Sequence, residues 1–134
     1  MRFERLPGIH AQRVLRIAAA CAAVTALMIV NCQFAQAHAY PTHQAPAAGA
    51  TVTTSQKDVV IDFDDGLEPA FSSITVRDAH MNAVTRGKAV VDASNRKRMS
   101  VALDPLTPGV YTVSWTAVAA DGHRTQGHYT FTAK

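Results

Sequence analysis

Beyond its first 37 residues this sequence predicts an all-β protein, a small Greek-key β-sandwich or barrel of about seven strands. Three observations carry that prediction. Short runs rich in Val, Ile, Thr and aromatic residues recur between clusters of Asp, Asn, Gly and Pro, the punctuation of antiparallel strands and turns. Leu106-Thr107-Pro108-Gly109 places a turn directly before an alternating strand, and Tyr111 stands two residues after the turn glycine, as in the tyrosine corner of Greek-key sandwiches. No stretch after residue 37 keeps helical apolar spacing for more than a turn or two.

The chain opens with the three parts of a secretory signal. Arg2, Arg5, Arg13 and Arg16 precede or border an apolar run from Ile17 to Val30, and the small residues Ala35 and Ala37 fill the −3 and −1 positions of a cut after Ala37. That run of 14 residues falls short of the roughly 20 needed by a membrane-spanning helix. Asn31 before Cys32, and the early place of Cys21 in the apolar run, do not fit a lipoprotein cut. The expected division is a signal peptide over 1–37 and one small domain over 38–134.

Removing the signal changes which partners are plausible. In the remaining 97 residues Lys+Arg falls from 13 to 9 and Asp+Glu from 10 to 9, so the formal charge drops from +3 to zero. Nucleic acid is thereby excluded as a partner drawn by bulk charge, since such attraction needs a basic excess. Arg96-Lys97-Arg98 is the one basic cluster left and reads as a solvated hairpin loop. Cys21 and Cys32 leave with the signal, so the domain forms no disulfide and offers no thiolate. Any metal site is limited to His, carboxylate, Met and the chain amine.

Taken in order, residues 38–55 are rich in Pro, Ala, Gly and Thr and read as an extended segment with a turn at Pro46-Ala47-Ala48-Gly49. Val59–Phe63 is a β-branched strand stopped by Asp64-Asp65-Gly66. Ser73–Val76 is the next, ended by Asp78-Ala79-His80-Met81-Asn82. Lys88–Val91 and Met99–Leu103 flank a polar loop from Asp92 to Arg98, with Met99 on the core side. In the following strand Tyr111, Val113 and Trp115 share one face, and Thr112, Ser114 and Thr116 the other. Asp121-Gly122-His123 forms a loop, and His128–Thr132 ends the domain with Tyr129 and Phe131 inward and His128 in solvent. Asp62 and Asp64 read as exposed strand positions, and Arg77, Arg86 and Lys88 as a charged face of the sandwich.

Two histidines stand where chemistry is possible. A cut after Ala37 makes His38 the first residue, and a free N-terminal histidine chelates a metal ion through its α-amine and ring Nδ1. Neither the amine nor the chelate exists while His38 is inside a peptide. His123 follows Asp121 in a loop just past the Trp115 strand, a pairing that alone is ordinary turn chemistry. His43, five residues after His38, is kept as an auxiliary contact. No Gly-rich phosphate loop, metalloprotease helix motif or serine elbow is present.

His38-Ala39 at the cut, Pro46-Ala47-Ala48-Gly49, Ile61-Asp62-Phe63-Asp64-Asp65 before Leu67-Glu68, Pro108-Gly109-Val110-Tyr111-Thr112-Val113-Ser114-Trp115, and Asp121-Gly122-His123 with Gly127 together resemble the bacterial copper resistance protein CopC family, in the family's order and over the whole domain. The resemblance implies a periplasmic copper carrier with an Ig-like or cupredoxin-like sandwich, not an enzyme and monomeric, binding one Cu(II) per chain. It implies ligation by His38 through amine and ring, by Asp121 and by His123, with Asp65 as fourth ligand or supporting carboxylate. An inner-membrane copper transporter of the CopD type is the implied recipient. The residues agree, because an amine, two imidazoles and a carboxylate form a tetragonal N,O set suited to Cu(II), which heads the divalent affinity order. An amine near ~7.7 and an imidazole near ~6.5 must lose protons first.

Where family members carry a methionine-rich Cu(I) site, this domain has only Met81 and Met99, so a Cu(II)-only carrier is expected. Two other readings remain. A histidine-brace copper monooxygenase would release oxidised oligosaccharides from chitin or cellulose with ascorbate. A metal-free Ig-like interaction module would keep whatever Cu(II) affinity it has when His123 is replaced by alanine.

Overall fold

The computed structural model describes residues 38–134, and the secretory signal expected over 1–37 lies outside the described residues. Among them eight strands form: β1 (Pro41–Ala45), β2 (Thr51–Val52), β3 (Asp58–Phe63), β4 (Ser73–Arg77), β5 (Thr85–Val91), β6 (Arg98–Leu103), β7 (Gly109–Val118) and β8 (Arg124–Ala133). They make two four-stranded sheets, β1-β3-β6-β5 and β2-β8-β7-β4. The result is the expected all-β sandwich.

Alternation decides the core. Val59, Ile61 and Phe63 of β3 and Met99, Val101 and Leu103 of β6 turn inward from one sheet. Ile74, Val76, Tyr111, Val113, Trp115, Tyr129 and Phe131 meet them from the other. Phe63 meets Trp115 edge to face across the two sheets with ring centroids 5.5 Å apart, and Tyr111 stacks on Phe131 at 5.4 Å. The tyrosine corner is made: the Tyr111 hydroxyl donates to the Thr107 carbonyl at 2.7 Å and accepts from the Thr107 N–H at 3.0 Å. Gly127 is the register partner of Trp115, and the indole lies against it so closely that a Cβ there would stand 2.7 Å from Cζ2.

The structure differs from the sequence expectation at three places. The segment read as extended contains β1, antiparallel to β3, and β2, parallel to the end of β8. Edge pairing tolerates the prolines that hide this segment in a propensity reading. The strand expected from Lys88 begins at Thr85, with Gly87 at a positive φ inside a register shift. The basic cluster is exposed but engaged. The Arg96 guanidinium donates to the Leu67 carbonyl at 2.8 Å, Lys97 Nζ to the Asp64 carbonyl at 2.9 Å, and Arg98 pairs with Asp62 through contacts of 2.7 and 2.8 Å.

These contacts gather one end of the sandwich. β1 starts where β3 ends, Pro41 facing Phe63. The loop after β3 then crosses to the other sheet, where Leu67 bridges Ala119 and the Glu68 N–H donates to the Val118 carbonyl at 2.8 Å. The N-terminal residues, the loop after β3 and the β7–β8 turn are therefore neighbours.

Candidate metal centre

The β7–β8 turn is built to present one imidazole. Beyond the last paired residues, Val118 and Arg124, the Ala119 N–H donates to the His123 carbonyl and the Gly122 N–H to the Ala119 carbonyl, both at 2.9 Å. Gly122 takes φ +88, a left-handed conformation that costs glycine little. Asp121 then closes on His123 twice: Oδ1 accepts the backbone N–H at 3.0 Å, and Oδ2 lies 2.7 Å from the ring Nδ1. The backbone hydrogen bond from His123, opposed by some desolvation and aided by the side-chain bond, holds the Asp121 carboxyl below the usual carboxylate range. With Nδ1 on Asp121, the imidazole is oriented as a carboxylate-held histidine with Nε2 directed elsewhere.

His38 comes to this turn from the other end of the domain sequence. Its ring centroid is 4.9 Å from that of His123 and 6.1 Å from that of Tyr40. Three hydrogen bonds fix the two residues that follow it. Ala39 is buried, and its carbonyl accepts from Thr125 Oγ1 at 2.5 Å. The Tyr40 N–H donates to Asp64 Oδ1 at 2.7 Å, while the Asp64 N–H donates to the Tyr40 carbonyl at 3.0 Å.

Of the residues expected from sequence, the structure thus brings together His38, His123 and Asp121, as a ring pair and a carboxylate–imidazole pair. Among the described residues no three His, Cys, Asp or Glu side chains already stand as a metal-holding group. Asp65 turns to its own loop, accepting the Gly66 N–H at 2.7 Å. It is the neighbouring Asp64 that grips the N-terminal segment. His43 lies on β1 opposite Asp62, in a surface hollow with Pro41, Thr42, Gln44 and Ala47.

Sequence reasoning missed Thr125 and Asp64. A polar residue at an inward position of β8, two residues past His123, is the only sequence signal that Thr125 left. By sequence Asp64 reads only as part of the Asp64-Asp65-Gly66 stop and as an exposed strand position. The site is open: the His123 side chain is 58 % exposed and that of Asp121 34 %.

Residues 42–134 match the family model described as the CopC domain. The chain belongs to the CopC family. It is 40 % identical over 99 residues to Protein YobA of Escherichia coli strain K12, covering 73 % of this chain and 80 % of that protein. It is 32 % identical over 92 residues to the Copper transport protein CutJ of Bacillus subtilis, covering 68 % of this chain and 17 % of CutJ. The crystal structure of CopC from Methylosinus trichosporium OB3b superposes with a TM-score of 0.68 at 31 % identity, covering 72 % of this chain and 94 % of that one. Family membership and the sandwich fold are therefore those expected from the sequence.

Proposed function

We propose that this chain, cut after Ala37 so that it begins at His38, is a periplasmic copper carrier that binds one Cu(II). His38 supplies amine and ring, His123 an imidazole, and Asp121 the negative charge that offsets the ion while fixing the His123 ring. The observation that carries the proposal is the 4.9 Å approach of the His38 and His123 rings beside Asp121, between residues far apart in the chain. Those nitrogens and a carboxylate suit a tetragonal Cu(II) ion, and Cu(II) heads the affinity order for divalent ions at such donors. In this reading Asp64 takes the supporting role expected of Asp65, since it holds the backbone two residues from the amine.

The openness of the site favours exchange of the ion with a partner over its retention. CutJ, whose name describes copper transport, contains a stretch like this chain within a much longer protein. That supports an inner-membrane copper transporter of the CopD type as the recipient, with the carrier limiting free copper outside the cytoplasm.

The test is a Cu(II) titration against a chelator of known affinity, using protein whose mass confirms His38 as first residue and the same protein with one added N-terminal alanine. One equivalent bound tightly by the first form and far more weakly by the second is expected. Equal affinities would overturn the proposal, because the amine chelate would then contribute nothing.

A further inference from the structure

We infer that Thr125 is a positioning residue for the N-terminal ligand: its hydroxyl ties the chain at Ala39 to the start of β8 and so sets where the His38 chelate stands relative to His123. This rests on the proposed Cu(II) site. Thr125 and Ser72 are the buried polar residues among those described. Ser72 accepts from the Val118 N–H at 3.1 Å and serves the end of β7. Thr125 serves the N-terminus. Its Oγ1 lies 2.5 Å from the Ala39 carbonyl, against 3.5 Å from that of Ala117, so the single hydroxyl proton goes to Ala39, 86 residues away in the chain.

The placement matters because of what lies one and two residues away. Ala39 is the covalent neighbour of His38, and Thr125 follows His123 by two residues on the same backbone. One hydrogen bond therefore connects the anchors of two ligands. A chain terminus frays unless tied down, and here the Ala39–Tyr40 peptide is gripped on both sides, its N–H by Asp64 and its carbonyl by Thr125. Burial of the Ala39 methyl fixes the depth at which the chain enters the domain, while the Thr125 bond holds the carbonyl side of the Ala39–Tyr40 peptide, the unit from which the His38–Ala39 link projects. Without the hydroxyl that peptide is gripped on one side only, so binding has to order the link to His38 more fully as well as capture the ion, and affinity falls by that ordering.

A double-mutant cycle on the full domain, with Cu(II) alone as the probe, tests this. In protein beginning at His38, Thr125→Val removes the hydroxyl at nearly constant shape and is expected to weaken Cu(II) binding about 10-fold, the size of one net hydrogen bond. In protein carrying the extra N-terminal alanine the same substitution is expected to change affinity less than about twofold, because the chelate it positions is already gone. Thr125→Ser, which keeps the hydroxyl, is expected to bind as the parent does, and Thr125→Ala serves in the cycle if valine prevents folding. No loss in the His38 form, or an equal loss in both forms, overturns the inference and assigns Thr125 a purely structural role. Failure of the parent itself to bind one Cu(II) is a separate outcome that overturns the proposed function, and this inference with it.

Discussion

Gly127→Ala tests whether the fold depends on the indole of Trp115 lying flat across β8. An added Cβ would stand 2.7 Å from Cζ2, 3.0 Å from Cε2 and 3.2 Å from Nε1 of Trp115. Carbon pairs settle at roughly 3.5–4.0 Å, so one partner must move by about 0.8 Å. The methyl is fixed to the backbone of a strand paired along its length with β7. The ring is 8 % exposed and backed by Phe63. Overpacking of this kind costs about 1–3 kcal/mol. Gly127 does not occupy a positive φ, so alanine also gains about 0.4–1 kcal/mol by restricting the unfolded chain. The net loss expected is about 1–2 kcal/mol. With a urea slope of about 1–3 kcal/mol per molar for a small domain, the midpoint drops by roughly 0.5–1 M. Trp115 is the sole tryptophan, so its fluorescence follows the transition directly. An unchanged or raised midpoint refutes the reasoning. So does an equal cost, followed by circular dichroism, in a Trp115→Phe background, where the contact with Cζ2 is absent.

Four other outcomes are expected. Tyr111→Phe keeps the stack on Phe131 but removes the hydroxyl's bonds to the Thr107 backbone and its longer contact with the Thr107 side chain, costing about 1–2 kcal/mol; a thermal melt unchanged to within a degree would refute the corner's contribution. Tyr129 has a buried hydroxyl with no partner among the described residues, and burial pushes its ionisation up to about 12. Tyr129→Phe should therefore leave stability unchanged or raise it, and a loss above about 1 kcal/mol would reveal a partner for that hydroxyl. The hydrogen bond from Arg98, with the Arg98 charge and against slight desolvation, holds Asp62 below the ordinary carboxylate range. Its folded value lies below its unfolded one, so its stabilisation is present above the unfolded value and is lost as pH falls through the folded one. Asp62→Asn should accordingly melt earlier than the parent at neutral pH, with the difference closing in acid; a difference independent of pH would refute the ion pair as its source. Cu(II) affinity should fall as pH drops and the amine and imidazoles regain protons, and a flat profile in the competition titration would exclude them as ligands.

Most of the architecture was legible before any coordinates. A two-residue period survives in the sequence wherever one strand face is buried, so Tyr111, Val113, Trp115, Tyr129 and Phe131 could be placed inward, and Met99 with them. β1 and β2 were not legible. Both are short edge strands, β1 begins with Pro41 and is followed by Pro46, β2 is only two residues long, and their pairing with β3 and β8 depends on segments removed from them in sequence. The basic cluster at Arg96-Lys97-Arg98 misled for a related reason. Exposure was inferred correctly, but its acceptors, the Leu67 and Asp64 carbonyls and the Asp62 carboxylate, lie some thirty residues upstream.

What the sequence by itself determined is the chemistry on offer: beyond residue 37, histidines and carboxylates without thiols, and alternating strands that can bury a core without a disulfide. Only the tertiary structure decided which of those groups meet. His38 and His123 come together because β1 begins beside the end of β3, and the loop from β3 crosses to the end of β7. The choice of Asp64 over Asp65, and the hold of Thr125 on Ala39, follow from that crossing. Local pattern encodes which face of a strand is buried; it carries no record of which distant strand end lies alongside, and the meeting of His38 with His123 is made of such neighbours.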